Sequence, residues 1–177
     1  MKDIKRLIYD QRAAATAIQA LVTLLIFTLL FALIIDVGYV TYVYFDIKTQ
    51  MDLANRAVYK NINADRLAER EFYIDESQGW QTFLEKLRTN MKLDDEMNPR
   101  ADNEYRIVGT VNVISFEIYN QDELPAVTPA GTHVDEVSVH SRVEVRIRPL
   151  FIWFSEITVR PHIDTDIPDK LLLTYHP

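Results

Sequence analysis

Side chains able to do chemistry are sparse in this sequence, and the best spaced are His162, Asp164 and Asp166. At alternate positions of a strand, an imidazole and two carboxylates share one face and offer nitrogen and oxygen donors to a metal ion. The same alternation continues Glu156, Thr158 and Arg160, so a solvated strand face is the plainer reading of the trio. The other histidines, His133, His140 and His176, show no relay partner in the sequence. There is no Gly-rich phosphate loop, no G-x-S-x-G and no HExxH. With no cysteine, thiolate zinc sites, disulfide scaffolds and cysteine nucleophiles drop out together. The metal candidate is weak, no cofactor is implied, and the chain is not expected to be an enzyme.

Other residues suit contact better than catalysis. Arg142, Arg146, Arg148 and Arg160 could form a basic patch, but Glu144 and Glu156 share their faces, and cross-strand ion pairing suffices to explain them. Asp94-Asp95-Glu96 reads as a solvated loop rather than a cation site. Leu150, Phe151, Ile152, Trp153 and Phe154 are five large apolar residues in a row, which cannot all face one core from a strand. They form either a buried turn or a contact surface for another protein or a membrane. Gln19, Asp36 and Gly38 are candidate helix-packing positions. An amide in hydrocarbon needs a partner, and the Asp36 carboxylate either snorkels to water or faces a partner helix.

These residues hang on a chain of very uneven composition. It has 177 residues and a net charge of −7, room for one ordinary domain and unsuited to non-specific nucleic-acid binding. Residues 1–12 carry a net +2, and the rest carry −9. Between Arg12 and Asp36, 23 residues bear no formal charge, and 13 of them are Leu, Ile, Phe or Val. As a helix this run is about 35 Å long, against a hydrocarbon core of about 30 Å. Its insertion is favourable by very roughly 4–8 kcal/mol. It is too long for a signal-peptide core and lacks a small-residue cleavage site after it, so it is expected to remain as an anchor. Four Lys/Arg precede the run and only Lys48 occurs in the twenty residues after it, which places the N-terminus in the cytoplasm. Tyr39, Tyr42, Tyr44 and Phe45 suit an aromatic belt at the far interface.

Beyond the span, periodicity predicts an α+β domain. Ile47, Met51, Ala54, Val58 and Ile62 step along one helical face, giving a stalk helix to about residue 74. A second amphipathic helix, capped by Ser77, presents Trp80, Phe83, Leu84, Leu87 and Met91. The period then changes to two. One long strand is expected from Tyr105 to Tyr119, bulged near Gly109 or Ser115, a second from Val137 to Ile147, and a third at Ile157 to Arg160. Together they make a small, about three-stranded antiparallel sheet, with a loop at Gln121 to Thr132 and Leu171 to Leu173 as a possible short edge. Trp80, Phe83, Leu84 and Leu87 are expected to pack on the sheet face formed by Val143, Val145, Ile147, Ile157 and Val159. The organisation read from this is a basic cytoplasmic end at 1–12, a transmembrane helix at 13–35, a helical stalk at 36–74 and an outer domain at 75–177.

The order of parts carries a resemblance. Arg12-Ala13-Ala14-Ala15, the apolar helix ending Ile34-Ile35-Asp36-Val37-Gly38, and Gln50-Met51-Asp52-Leu53-Ala54-Asn55-Arg56-Ala57 resemble the TadE/TadG-like pseudopilins of tight-adherence pilus systems. The likeness covers about residues 10–60. Where that family has a Gly before its processing site and a Glu in the first helical turn, this chain has Ala13 and Thr16, Ile18 or Gln19. The resemblance implies a structural subunit of a pilus or secretion assembly, with the lipid bilayer and other pilin-like or membrane subunits as partners. A membrane-anchored sensing or ligand-binding module is the competing expectation, and it needs a pocket between the sheet and the Trp80 helix.

Overall fold

The structure, a computed structural model, describes residues 2–69, 71–152 and 154–167, with side chains from Ala14 onward. The edge strand expected at Leu171 to Leu173, the side chains of the basic N-terminal residues and Trp153 lie outside the described residues. The fold is α+β, as the periodicities predicted. Its dominant element is α1, Lys2–Val58, a helix of 57 residues, or roughly 85 Å. Its first part has no protein around it. Its last part lies in the core, where Val43, Ile47, Met51, Ala54 and Val58 are all fully buried. These residues recur every three or four positions, so one stripe meets the domain while Lys48, Asp52 and Arg56 flank it.

The stalk helix ends earlier than expected. After a single 3-10 turn at Tyr59–Asn61 the chain turns extended at Ile62, and a short helix α2 covers Ala64–Ala68. Two asparagines cause the break. The Asn61 amide donates to the Gln78 carbonyl and the Thr82 hydroxyl, and the Asn63 side chain accepts from the N–H groups of Asp65 and Arg66. Such short polar side chains compete with the helix for its own backbone. An Ile62–Ile74 bridge then closes the excursion and returns the chain beside α1.

Helix α3, Glu76–Asn90, starts at a different cap from the one expected. The Asp75 carboxylate accepts from Gln78 N–H, which leaves Ser77 inside the first turn. Phe83 and Leu87 are fully buried, whereas Leu84 is half-buried and Trp80 lies at the margin. Gly79 lets α3 approach its neighbours closely. A methyl group there would lie 2.5 Å from Ile118 Cδ1 and 3.1 Å from Val58 Cγ1.

The sheet is built around β4, Ser138–Ile147. On one side β1, Asn112–Tyr119, runs antiparallel from Tyr119 opposite Ser138 to Asn112 opposite Glu144, with a bulge between Val113 and Ser115. The strand is shorter than the alternation suggested. Arg106 and Gly109 take left-handed φ values of 48° and 69°, which no continuous ladder tolerates, and Ile107 makes only an isolated bridge to Ile147. On the other side the edge is split into β5, Ile157–Val159, and β6, His162–Asp166, with Pro161 between them. Proline has no N–H for the ladder, but its carbonyl still accepts from Val143 N–H at 3.1 Å. The loop expected at 121–132 contributes β2, Ala126–Val127, which pairs with β3, His133–Val134.

The two long helices share the inner face unequally. Helix α1 lies over β4 and β6, while α3 lies over β1, with the Phe83 and Phe116 ring centroids 4.8 Å apart. This corrects the expectation that α3 covers Val143, Val145 and Ile147. The buried stripe of α1 takes that place, and Ile157 stays exposed at the edge. Polar groups fix how α1 docks. The buried Asn55 amide donates to the Val139 carbonyl and the Thr165 hydroxyl, Thr165 donates to Asp52, and the Tyr59 hydroxyl reaches the Thr165 carbonyl at 2.6 Å.

Candidate functional site at the end of the apolar span

The described side chains of the uncharged run are almost all exposed, Leu24 by 64% and Phe31 by 62%. Helix α1 is long and apolar enough to cross a membrane, with a mean hydropathy of 2.7 in its most apolar stretch. On one side of it Thr16, Gln19, Ala20, Thr23, Leu24 and Phe27 line a shallow concavity. The Gln19 side chain is exposed there, and Thr28 returns its hydroxyl to the Leu24 carbonyl. A methyl group on Gly38 would meet nothing within 4 Å, so no close contact inside the chain requires glycine at that position.

Asp36, the first charge after the run, has a use that neither sequence alternative included. It is 98% buried, and it accepts three backbone hydrogen bonds from a single loop. Leu150 N–H donates at 2.6 Å and Phe151 N–H at 3.0 Å to one carboxylate oxygen, and Ile152 N–H donates at 2.8 Å to the other. Three successive N–H groups converging on one anion form a concave nest, which holds a carboxylate well away from bulk water. The loop follows the buried Pro149 at the end of β4. With its backbone turned inward onto Asp36, it turns side chains outward: Leu150 is 38% exposed, Phe151 52% and Phe154 80%, while Ile152 is half-buried. Leu150, Phe151 and Phe154 are thus exposed side chains and not the core of a buried turn.

The outer face of the sheet holds the remaining polar residues. Register places Glu117, His140 and Asp164 directly opposite one another on β1, β4 and β6. His140 is fully buried, with Nδ1 2.6 Å from Asp164 Oδ1 and Nε2 3.2 Å from Ser115 Oγ. The order Ser–His–Asp is that of an acyl-transfer relay. Such a relay must return its proton to a leaving group through Nε2, and a fully enclosed ring offers no path for that. The row instead ties three strands together, and Tyr119 adds a hydrogen bond to Glu117. Burial pushes the Tyr119 phenol upward, and the bond to Glu117 pushes it further.

Alternation does put His162, Asp164 and Asp166 on one face. The trio spans about 13 Å of strand from His162 to Asp166, and its middle member, Asp164, is committed to His140. Among the described residues no three His, Asp or Glu converge as a metal site. The arginines pair as expected, Arg160 with Glu144 at 2.6 Å and Arg148 with Glu156 at 3.3 Å. Asp94 is a turn builder: it accepts from the N–H groups of Glu96 and Asn98, the latter chiefly lowering its carboxyl pKa.

No family model, curated protein or solved structure matches this chain. The functional argument therefore rests on the site itself. Two of its features escaped sequence reasoning. Asp36 and its donors are 114 to 116 residues apart, and the His140 row exists only once three strands are paired. The signal for the first was a carboxylate beside an apolar span and an apolar run with no core to face.

Proposed function

We propose that this chain is a membrane-anchored, pseudopilin-like structural subunit of a pilus or secretion assembly. The observation that carries the reading is the division of α1. One unbroken helix leaves some twenty apolar residues without protein neighbours and then inserts its other end into the core of an antiparallel α+β domain. A solitary soluble domain has no use for such a surface, whereas a bilayer and neighbouring helices do. The span sits with its basic N-terminal end in the cytoplasm and its domain on the opposite side. The motifs around Asp36 and Asn55 that resemble the TadE/TadG-like family fall on working residues: Asp36 holds the 150–152 loop, and Asp52 and Asn55 dock α1 on the sheet.

The ligand-binding alternative needed space between α3 and the sheet. Rings fill that space, with Trp80, Phe83 and Phe116 centroids 4.8 to 6.0 Å apart. The subunit reading is tested in native membranes. Gln19→Leu should leave expression and membrane insertion intact while co-purification of partner membrane proteins falls several-fold, because interhelical amide bonds contribute about 0.6–2 kcal/mol each. Partners retained at wild-type levels would remove the span from the assembly surface. A chain that co-purifies with no membrane protein at all would end the subunit reading.

A further inference from the structure

The Leu150–Phe154 loop is held in an arrangement that water alone does not favour. Leu150, Phe151 and Phe154 expose large apolar surfaces close together, and an aromatic side chain alone presents about 150–250 Å². The loop is not free to fold them away, because its N–H groups at 150, 151 and 152 are bonded to Asp36. Those bonds also fix its height. Asp36 directly follows the 23-residue uncharged run, and the interfacial zone beyond the hydrocarbon is about 5–7 Å deep on each side. One residue advances a helix by about 1.5 Å, so the loop backbone lies at the level where hydrocarbon gives way to headgroups. The surroundings suit that level. Tyr42 and Phe45 are exposed by 64% and 61% on the next turns of α1, and the exposed Arg106 lies within electrostatic reach of Asp36.

We propose that Leu150, Phe151 and Phe154 insert into the leaflet at the Asp36 end of the span, giving the chain a second attachment to the bilayer that α1 crosses. The proposal rests on the membrane-span reading of α1. Its occupant is lipid because the loop is fastened to the end of the span, so its apolar surface continues the surface that the hydrocarbon covers. With the helix and the loop both seated in one bilayer, the chain is held at two points, which restrains its tilt and its rotation relative to the membrane.

The chain has no cysteine, so single-cysteine labelling of the full protein is clean. An environment-sensitive fluorophore is placed at Ser155→Cys beside the loop, at Leu29→Cys in the span, or at Asp65→Cys on α2. Each variant is reconstituted into vesicles of phosphatidylcholine and phosphatidylglycerol, and quenching by spin-labelled lipids is compared with quenching by aqueous iodide. The expected result is deep-lipid quenching at position 29, several-fold stronger shallow-lipid than iodide quenching at position 155, and the reverse at position 65. Combining Leu150→Ser, Phe151→Ser and Phe154→Ser should return position 155 to the pattern of position 65. Lipid quenching at 29 with an aqueous pattern at 155 overturns the proposal and leaves the span standing; a loop that contacts only another protein gives this outcome, since these vesicles hold none. An aqueous pattern at 29 overturns the span reading and the proposal with it. Shallow-lipid quenching at 155 that survives the triple substitution overturns the role given to the three side chains.

Discussion

Asp36 and Asn55 are the two polar side chains of α1 whose positions decide most, and each is used inside the chain. Asp36→Ala removes the acceptor of three N–H groups. Amide exchange at Leu150, Phe151 and Ile152 should accelerate about tenfold or more, with α3 amides unchanged, since hydrogen bonds to a charged acceptor are among the stronger ones. Unchanged exchange at those three amides would mean that the loop holds its own shape. At Asn55 two effects oppose each other. Leucine there leaves the Val139 carbonyl without its amide donor, but it also removes the buried Asn55 Oδ1, for which no hydrogen bond is seen. The expected net cost is about 1 kcal/mol in urea titration. Asn55→Asp should cost clearly more, because it places a charge in the same enclosed space near Asp52 with no new donor. Equal effects of the two substitutions would place Asn55 in a wetter setting than its burial implies.

At the scale of elements, the packing ranks neighbouring side chains of α3. Phe83 is fully buried between Trp80 and Phe116, so Phe83→Ala should destabilise the detergent-solubilised full chain by about 3–5 kcal/mol. Leu84, only half-buried, should cost under half as much when cut to alanine, and the reverse order would mean that α3 turns Leu84, not Phe83, into the core. Much of this level was legible in the sequence. The long apolar helix follows from its uncharged run, the α3 stripe, β4 and the bulge near Ser115 follow from period 3.6 or period 2, and the arginine–glutamate pairs follow from alternation. What stayed hidden depended on partners far along the chain. The end of α1 at Val58 was masked because no glycine or proline announces it; two asparagines do the work by bonding to α3 and α2. His140 shows no partner in the sequence, since nothing local reveals that strands on both sides enclose it. The division of the inner face between α1 and α3 likewise depended on which of two apolar stripes reached the central strand.

For the whole molecule the proposed orientation makes a simple demand. A reporter active only in the cytoplasm, fused after Pro177, should be silent, and one fused before Met1 should be active, given four Lys/Arg before the span and one in the twenty residues after it. Strong activity from the C-terminal fusion would invert the orientation and place the sheet in the cytoplasm. A mechanical consequence follows from the continuity of α1. Neither glycine-rich linker nor helix break separates the apolar end from the buried stripe, and Asp36 clamps a loop of the domain at the point where a hinge would otherwise form. A lever with no joint transmits torque. Tilting the span by a few degrees must swing the far end of the domain by the same angle, and an axial pull on the span loads the α1–sheet contact in shear, along its whole length at once. Detaching such a helix requires Val43, Ile47, Met51, Ala54 and Val58 to slip together, so a pull loads them in parallel instead of peeling α1 from the sheet one turn at a time.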